Sequence, residues 1–307
     1  MCEICKTINN IDKIIKADEE QFKQDLKEKG YLEIDFTMSQ INKLEDMVYK
    51  LLRQQAIFYI NGIDNYVSKA SVGDILNYMR GTLFAKDDFI SKFGKQFEKF
   101  FNFTTEKLTN AYIKIIDGDL FFNTFTSRTT DWIKNWSGEL ANILHLDSIE
   151  TIESILTEGI EEGKGIKDIS RDLKDSFGFS RTRARRIATT EVLTAHSRAA
   201  FESAVQNPSV DRVTWRHSGL RGIKPRPDHV AIDGVTIPVG DYFHVGTELA
   251  QYPRDTNLSA KERVNCHCLL QQVVNDSTLG LSLEERQRLQ SEAIQNDNRI
   301  YNRRRRR

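Results

Sequence analysis

Hydrophobic residues recur at helical spacing through the first two hundred positions. Along 38–60 and 89–108 the apolar side chains fall three or four residues apart, which places them on one face of a helix. Similar runs cover 149–160 and the segment that begins at Ile166. The sequence has no proline before Pro208. Because proline is the strongest helix breaker, this pattern predicts a mostly α-helical region.

The last helix of this region is rich in small residues. Ser180 is suited to cap its N-terminus, and Asn207-Pro208 is expected to end it. Its buried face is predicted to carry Ala184, Ile187, Ala188, Val192 and Ala195. Alanine side chains are short, so this helix can approach a neighbour closely.

Beyond Pro208 the spacing of apolar residues changes to two, which is typical of strands. Val213 and Trp215 alternate with polar residues, and 235–237 and 264–270 are further candidate strands. Ser282 has capping-box spacing to Glu285 and should open a charged helix that ends near residue 296.

These elements predict an α+β protein. A long helical N-terminal region precedes helices that pack on a small β-containing domain. All five prolines lie between Pro208 and Pro253, which marks the β-containing part. We expect a helical N-terminal region over 1–148, a second domain over 149–275, and a C-terminal helix with a basic tail over 276–307.

Charge is balanced overall but divided along the chain. The 44 Lys and Arg equal the 44 Asp and Glu, so net charge gives no argument for nucleic acid. Residues 1–170 carry 21 basic and 28 acidic residues, however, and 171–307 carry 23 and 16. This asymmetry suggests different partners for the two halves. No apolar run approaches the ~20 residues of a membrane span, so no membrane partner is expected.

The sequence Cys266-His267-Cys268 is the strongest local signal. On a strand, residues two apart point to the same face, so both sulfurs could bind one metal ion. Zinc takes four ligands, mainly thiolate and imidazole. His229, Asp228 beside it, and His217 are candidates for the rest. Alternatively, the two cysteines are simply buried apolar residues.

Two other groups of residues are candidates for function. Cys2 and Cys5 form a second half-motif, which is more typical of a frayed terminus than of a metal site. Arginines cluster twice, and their side chains suit phosphate or an acidic protein surface. The terminal run should be disordered unless it meets an anionic partner. The clusters comprise Arg181, Arg183, Arg185 and Arg186, and Arg303, Arg304, Arg305, Arg306 and Arg307.

Several short motifs, taken in order, resemble the C-terminal domain of the phage Mu F-like family. They cover about 150–275 and consist of Ala184-x-x-Ile187-Ala188-Thr189-Thr190-Glu191, Thr214-Trp215, Arg226-x-x-His229-x-x-Ile232-Asp233-Gly234, Pro253-x-Asp255 and Glu262-x-x-Asn265-Cys266-x-Cys268. Each motif is weak alone, and the combination is specific. The family has Cys-Arg-Cys where this chain has His267 in the middle.

The resemblance implies a minor capsid, or head morphogenesis, protein of a tailed bacteriophage and no enzymatic activity. Such a protein associates with the portal vertex and capsid interior during assembly in the host cytoplasm. It then stays in the virion and can affect genome packaging or ejection. The implied partners are the portal protein, the major capsid or scaffolding protein, and packaged DNA.

The resemblance also favours a structural Zn²⁺. His229, Cys266 and Cys268 are its expected ligands, and His217 or Asp228 would be the fourth. The rival hypothesis is an enzyme that acts on nucleic acid, a nuclease or transferase centred on His229, Asp233 and Glu191. No contiguous catalytic motif supports that hypothesis.

Overall fold

The computed structural model describes residues 18–66, 72–217, 219 and 225–305. Most of these residues are helical, and within them strands occur only after residue 209. The helices are α1 (18–28), α2 (Ile34–Tyr66), α3 (Val72–Tyr78), α4 (Phe84–Lys86), α5 (Phe89–Ile116), α6 (Ser127–Glu161), α7 (Ile166–Asp175), α8 (Arg181–Gln206), α9 (Pro227–Ala231), α10 (Ala260–Arg263), α11 (Asp276–Leu279) and α12 (Leu283–Arg305). A π-helical turn, Met79–Leu83, joins α3 to α4.

The strands form two small antiparallel sheets. They are β1 (Val210–Arg216), β2 (Thr236–Pro238), β3 (Phe243–Val245), β4 (Glu248–Ala250) and β5 (Leu269–Val274). One sheet has the order β2-β1-β5, and the other is the β3–β4 hairpin. In the first sheet, Trp215 lies opposite Leu270. The predicted α+β class is confirmed.

None of the helices described is long and apolar enough to span a bilayer.

The chain divides into two compact units, each built from separate stretches of sequence. The strand-containing unit comprises Met1–Gln40, Thr105–Thr126 and Leu193–Arg307. The helical unit comprises Ile41–Thr104 and Ser127–Val192. The boundaries fall within α2, α5 and α8 and at the start of α6. Compact units of packing need not coincide with segments of sequence, so the division at 148 and 275 stays a prediction.

The helical unit has an aromatic core, as the sequence predicts. The rings of Phe93 and Phe97 are fully buried and stack with centroids 5.9 Å apart. Phe101 meets Trp132 of α6 edge to face at 5.2 Å. A Cβ atom at Gly62 would come 2.5 Å from Leu83 Cδ1, so glycine there allows the π-helical turn to approach α2 closely.

The arginines at the N-terminus of α8 bind acidic groups of the helical unit. Arg181 forms ion pairs of 2.8 and 2.9 Å with Glu45 and Asp46, and Arg185 also reaches Glu45 at 3.0 Å. Arg183 is buried and pairs with Asp147 at 2.5 Å. The sequence suggested that these side chains bind phosphate or an acidic protein surface. Contacts within the unit account for these three side chains instead.

The strand-containing unit packs its sheet on the alanine-rich end of α8. Ala199 and Ala200 are fully buried there, together with Trp215 of β1. Gln272 of β5 donates a hydrogen bond of 2.7 Å to the carbonyl of Ala200. The small side chains of α8 thus permit the predicted close approach.

The C-terminal helix is longer than predicted. Ser282 caps it, with its Oγ accepting the Glu285 amide at 3.2 Å, but α12 continues to Arg305 instead of ending near 296. Arg286 fixes α12 to the unit by ion pairs of 2.8 and 3.0 Å with Asp117 and Asp119. Contrary to the predicted disorder, 303–305 are helical, as suits cations at a helix C-terminus. Arg306, Arg307, Cys2 and Cys5 lie outside the described residues.

Candidate metal centre

Three of the predicted metal ligands meet in the strand-containing unit. The Nδ1 of His229 lies 3.6 Å from Cys266 Sγ and 3.4 Å from Cys268 Sγ. All three side chains are buried, at 1–2% exposure. His229 comes from α9, whose first residue is Pro227, a residue preferred at that position because its missing N–H is not needed there.

The cysteines reach this site by a different route from the predicted one. Val264 caps α10, Asn265 adopts φ +55°, and β5 begins only at Leu269. Cys266 and Cys268 therefore lie just before a strand, and the expected strand over 264–270 is wrong in its first half. The backbone carbonyls of the cysteines are engaged by side chains instead of by a neighbouring strand.

Arg254 holds those carbonyls. Its guanidinium is fully buried and donates hydrogen bonds of 2.7 and 2.9 Å to the carbonyls of Cys266 and Cys268. It also donates to Ser197 Oγ at 2.6 Å. Arg254 adopts φ +62°, a conformation that costs energy for a residue with a side chain. The surrounding contacts thus hold a strained residue under the Cys-x-Cys turn.

Tyr31, from the segment between α1 and α2, binds the same turn. Its hydroxyl lies 3.2 Å from the His267 carbonyl and 3.1 Å from the Cys268 carbonyl. Burial raises the pKa of Tyr31 to about 12, so its hydroxyl remains a neutral donor at physiological pH. Phe22 of α1 packs edge to face on His267 at 5.8 Å. The N-terminal segment therefore covers the Cys-x-Cys turn.

His267 is not the solvent-facing residue that an alternating strand would give. Its residue exposure is 6%, and burial lowers the pKa of the imidazole to about 4. Where the family has an arginine between the two cysteines, this chain therefore has a neutral imidazole that packs against α1.

The distances fit a zinc tetrahedron. Zinc–sulfur and zinc–nitrogen bonds of about 2.3 and 2.0 Å imply nitrogen–sulfur edges of roughly 3.5 Å. The two nitrogen–sulfur distances, 3.6 and 3.4 Å, bracket that value. Burial raises the pKa of the Cys266 thiol, but hydrogen bonds with Cys268 and His229 and the charge of Arg254 outweigh it and bring the pKa well below its usual value. Thiolate is the form that ligates metals.

Neither predicted fourth ligand joins the group. His217 follows β1, and its amide donates to Asp233 Oδ1 at 2.9 Å. It lines a separate cavity of about 420 Å³. Asp228 faces Gly246, where a Cβ would come 2.7 Å from its Oδ2. Among the residues that the structure describes, the cluster of potential metal ligands here comprises His229, Cys266 and Cys268.

A carboxylate that the sequence did not place at this site lies behind the imidazole. Glu262 Oε2 is 3.1 Å from His229 Nε2, and both side chains are almost completely buried. The same three groups could also form a catalytic triad, in which a thiol is the nucleophile, the imidazole is its base and the carboxylate orients the imidazole. Burial of all of them favours metal ligation, because a nucleophile must meet its substrate.

The residues of the enzymatic hypothesis have separate partners. Glu191 belongs to the helical unit, where it is buried and accepts the indole N–H of Trp136 at 2.9 Å. Asp233 is exposed and accepts the His217 amide. His229 faces the cysteines and Glu262. Within the strand-containing unit, His229 and Asp233 thus have different partners.

Comparison with known proteins agrees with the motifs. The family model described as phage Mu protein F like protein matches residues 150–271. An uncharacterized protein of Bacillus subtilis strain 168, YqbB, is 38% identical over 307 residues, covering 94% of this chain and 99% of its own length. The chain belongs to the phage Mu F-like family. It is therefore a relative of phage head morphogenesis proteins, a family of structural components. No solved structure matches it significantly.

Within this family assignment, the matched segment includes all three potential metal ligands and Glu262. It does not include Tyr31 or Phe22, which cover the Cys-x-Cys turn. The strand-containing unit of this protein thus extends beyond the family segment.

Proposed function

We propose that this protein is a minor capsid protein that acts during head assembly at the portal vertex and capsid interior. The observation that carries the proposal is its membership of the phage Mu F-like family. Its partners would be the portal protein and the major capsid or scaffolding protein. It would assemble in the host cytoplasm, remain in the virion, and contribute to genome packaging or ejection.

The metal would have a structural role in this protein. His229, Cys266 and Cys268 would hold Zn²⁺ between α9 and the turn before β5. The segment from β1 to β5 has short strands and long connections, and its buried cluster includes Trp215, Phe243 and Tyr252. A metal cross-link between two of its connections would add to the stability that this cluster provides. Bound zinc would then contribute to folding and would not take part in a reaction.

Packaged DNA would be contacted by the basic end of α12. Arg299, Arg303 and Arg305 are exposed along the last two turns of this helix. Arginine forms paired hydrogen bonds with phosphate. Such contacts do not depend on the base sequence, and they weaken as the salt concentration rises. This part of the proposal excludes Arg181, Arg183 and Arg185, which bind carboxylates of the helical unit.

Chemical cross-linking of immature heads purified from infected cells tests the proposed location. We expect cross-links from this protein to the portal protein and to the inner surface of the capsid lattice. A chain that ends at Asn302 should give the same protein cross-links but fewer ultraviolet cross-links to DNA in filled heads. Cross-links confined to the outer capsid surface would contradict the proposal.

A further inference from the structure

Glu262 is buried in an unusual position for a carboxylate. It lies on α10, a helix of four residues, with a residue exposure of 2%. One oxygen is 3.1 Å from His229 Nε2, and the other is 3.2 Å from Nζ of Lys261, whose side chain is 82% exposed. Removing a carboxylate from water costs several kcal/mol unless it is paired. Its contact with His229 is therefore a specific arrangement.

The carboxylate decides which imidazole nitrogen carries the proton. A neutral imidazole has one N–H and one lone pair, and an ionised carboxylate can only accept. At 3.1 Å, Glu262 Oε2 is close enough to favour the proton on Nε2 of His229, although the two atoms are not aligned as a hydrogen bond in this structure. The lone pair of Nδ1 then points toward the sulfurs of Cys266 and Cys268, which are 3.6 and 3.4 Å away. Metal ligation needs this lone pair, and the other tautomer would direct an N–H at the ion.

The contact of the ring with Trp215 cannot select which nitrogen carries the proton. Trp215 meets His229 edge to face, with centroids 5.4 Å apart and planes at 81°. Such packing fixes the plane of the imidazole. It does not distinguish the two orientations related by a half-turn about χ2, which exchange a nitrogen for a carbon at each position. A polar partner at Nε2 separates them, and so do the two sulfurs beside Nδ1.

We propose that Glu262 is a positioning residue that fixes the tautomer and orientation of His229 for a metal ion held with Cys266 and Cys268. Histidine ligands commonly donate their second nitrogen to a carboxylate, and loss of that partner weakens metal binding about 10–100-fold. The inference rests on the proposed metal site. It adds a residue that acts through His229 and not by ligation.

Metal titration of substituted proteins tests this role. Zinc affinity would be measured by competition with a chromogenic chelator on the full chain. Glu262→Leu should bind zinc about 10–100-fold more weakly than wild type. Glu262→Gln should lose less, because its amide oxygen can still accept the Nε2 proton. Glu248→Leu is the matched control: that residue is only partly buried, and its carboxylate accepts the amide of Ser259 at the start of the same helix. Its affinity should equal that of wild type.

Cobalt spectroscopy separates positioning from general loss of structure. At saturating Co²⁺ the wild type should show the intense visible bands of a tetrahedral site, and Glu262→Leu should show weaker, shifted bands. Circular dichroism at the same temperature checks that each variant is folded. If Glu262→Leu does not fold, Glu262→Asp replaces it, since the shorter side chain keeps the charge but loses reach.

The outcomes distinguish this inference from the metal site itself. Wild type that binds neither metal, and melts like the Cys266→Ser, Cys268→Ser double variant, would remove the proposed site and this inference with it. Wild type that binds zinc with the same affinity and cobalt spectrum as Glu262→Leu and Glu262→Asp would leave the site standing and overturn the role of Glu262.

Discussion

A nonsense mutation early in this gene should abolish the production of infectious particles while synthesis of the major capsid protein continues. Head assembly depends on specific protein–protein contacts, and in the proposed role at the portal vertex this protein could not be replaced by the abundant shell protein. We expect particles that are fewer, misassembled or unable to deliver DNA. The measurement is plaque yield together with electron microscopy of lysates from non-suppressing hosts.

A suppressing host supplies the control, because it restores the full chain and should restore the yield. Missense substitution gives a second comparison. His229→Ala should reduce yield only as far as it reduces the amount of folded protein, since the proposed role has no chemical step for His229 to perform. A normal yield from the nonsense mutant would contradict the assembly role. So would a His229→Ala protein that is stable and abundant but inactive.

Replacing Arg254 by leucine should strongly destabilise the strand-containing unit. The change removes the Arg254 donor from the Cys266 carbonyl and the Ser197 hydroxyl, and it leaves the Cys268 carbonyl with Tyr31 as its remaining donor. Each buried hydrogen-bonding group that loses its partner costs about 1–3 kcal/mol. Against a total stability of about 5–15 kcal/mol, that loss should lower the thermal midpoint by many degrees. Circular dichroism at a fixed zinc concentration measures it.

Arg212→Leu is the control for that substitution. Arg212 lies in the same unit and donates to one backbone carbonyl, that of Thr236, at 3.1 Å, but its side chain is exposed. Surface substitutions of this kind usually change stability by about 0.5 kcal/mol or less. Arg254→Lys should fall between the two, because one ammonium keeps the charge but cannot reach all three acceptors. Equal melting of the Arg254 and Arg212 leucine variants would rule out this role for Arg254.

Helices were the most predictable part of the fold, because the spacing of apolar residues along the sequence identifies the buried face of each helix. Met38, Ile41, Leu44 and Val48 fall on one face of α2 and are all buried. The cap of α8 was equally local, and Ser180 Oγ accepts the Arg183 amide at 3.1 Å. Periodicity does not tell which helices pack together. It therefore gave no sign that the compact units are interleaved along the chain.

The candidate site was predictable only in its potential ligands. Cys266, Cys268 and His229 carry recognisable metal chemistry, and residue type alone marks them. Their supporting residues depend on contacts between distant parts of the chain: Arg254 and Tyr31 reach the Cys-x-Cys turn from separate segments. Those contacts also delay the start of the predicted strand to Leu269, because carbonyls bound by side chains cannot pair with a neighbouring strand.

Glu262 is a residue whose position the sequence marks but whose contact it does not predict. It belongs to the motif Glu262-x-x-Asn265-Cys266-x-Cys268, so the sequence marks its position. Nothing local indicates that its carboxylate would meet the imidazole of His229, thirty-three positions earlier in the chain. The hint that the sequence offers is that a glutamate and a histidine occur in the same family segment.

Quantitative mass spectrometry of purified particles tests the central claim most directly. If the protein is a minor capsid component, washed infectious particles should contain it in a fixed, small ratio to the major capsid protein, and immature heads should already contain it. Comparison of intact particles with particles emptied of DNA would show whether it leaves with the genome. Infectious particles of normal yield that lack the protein altogether would contradict the claim.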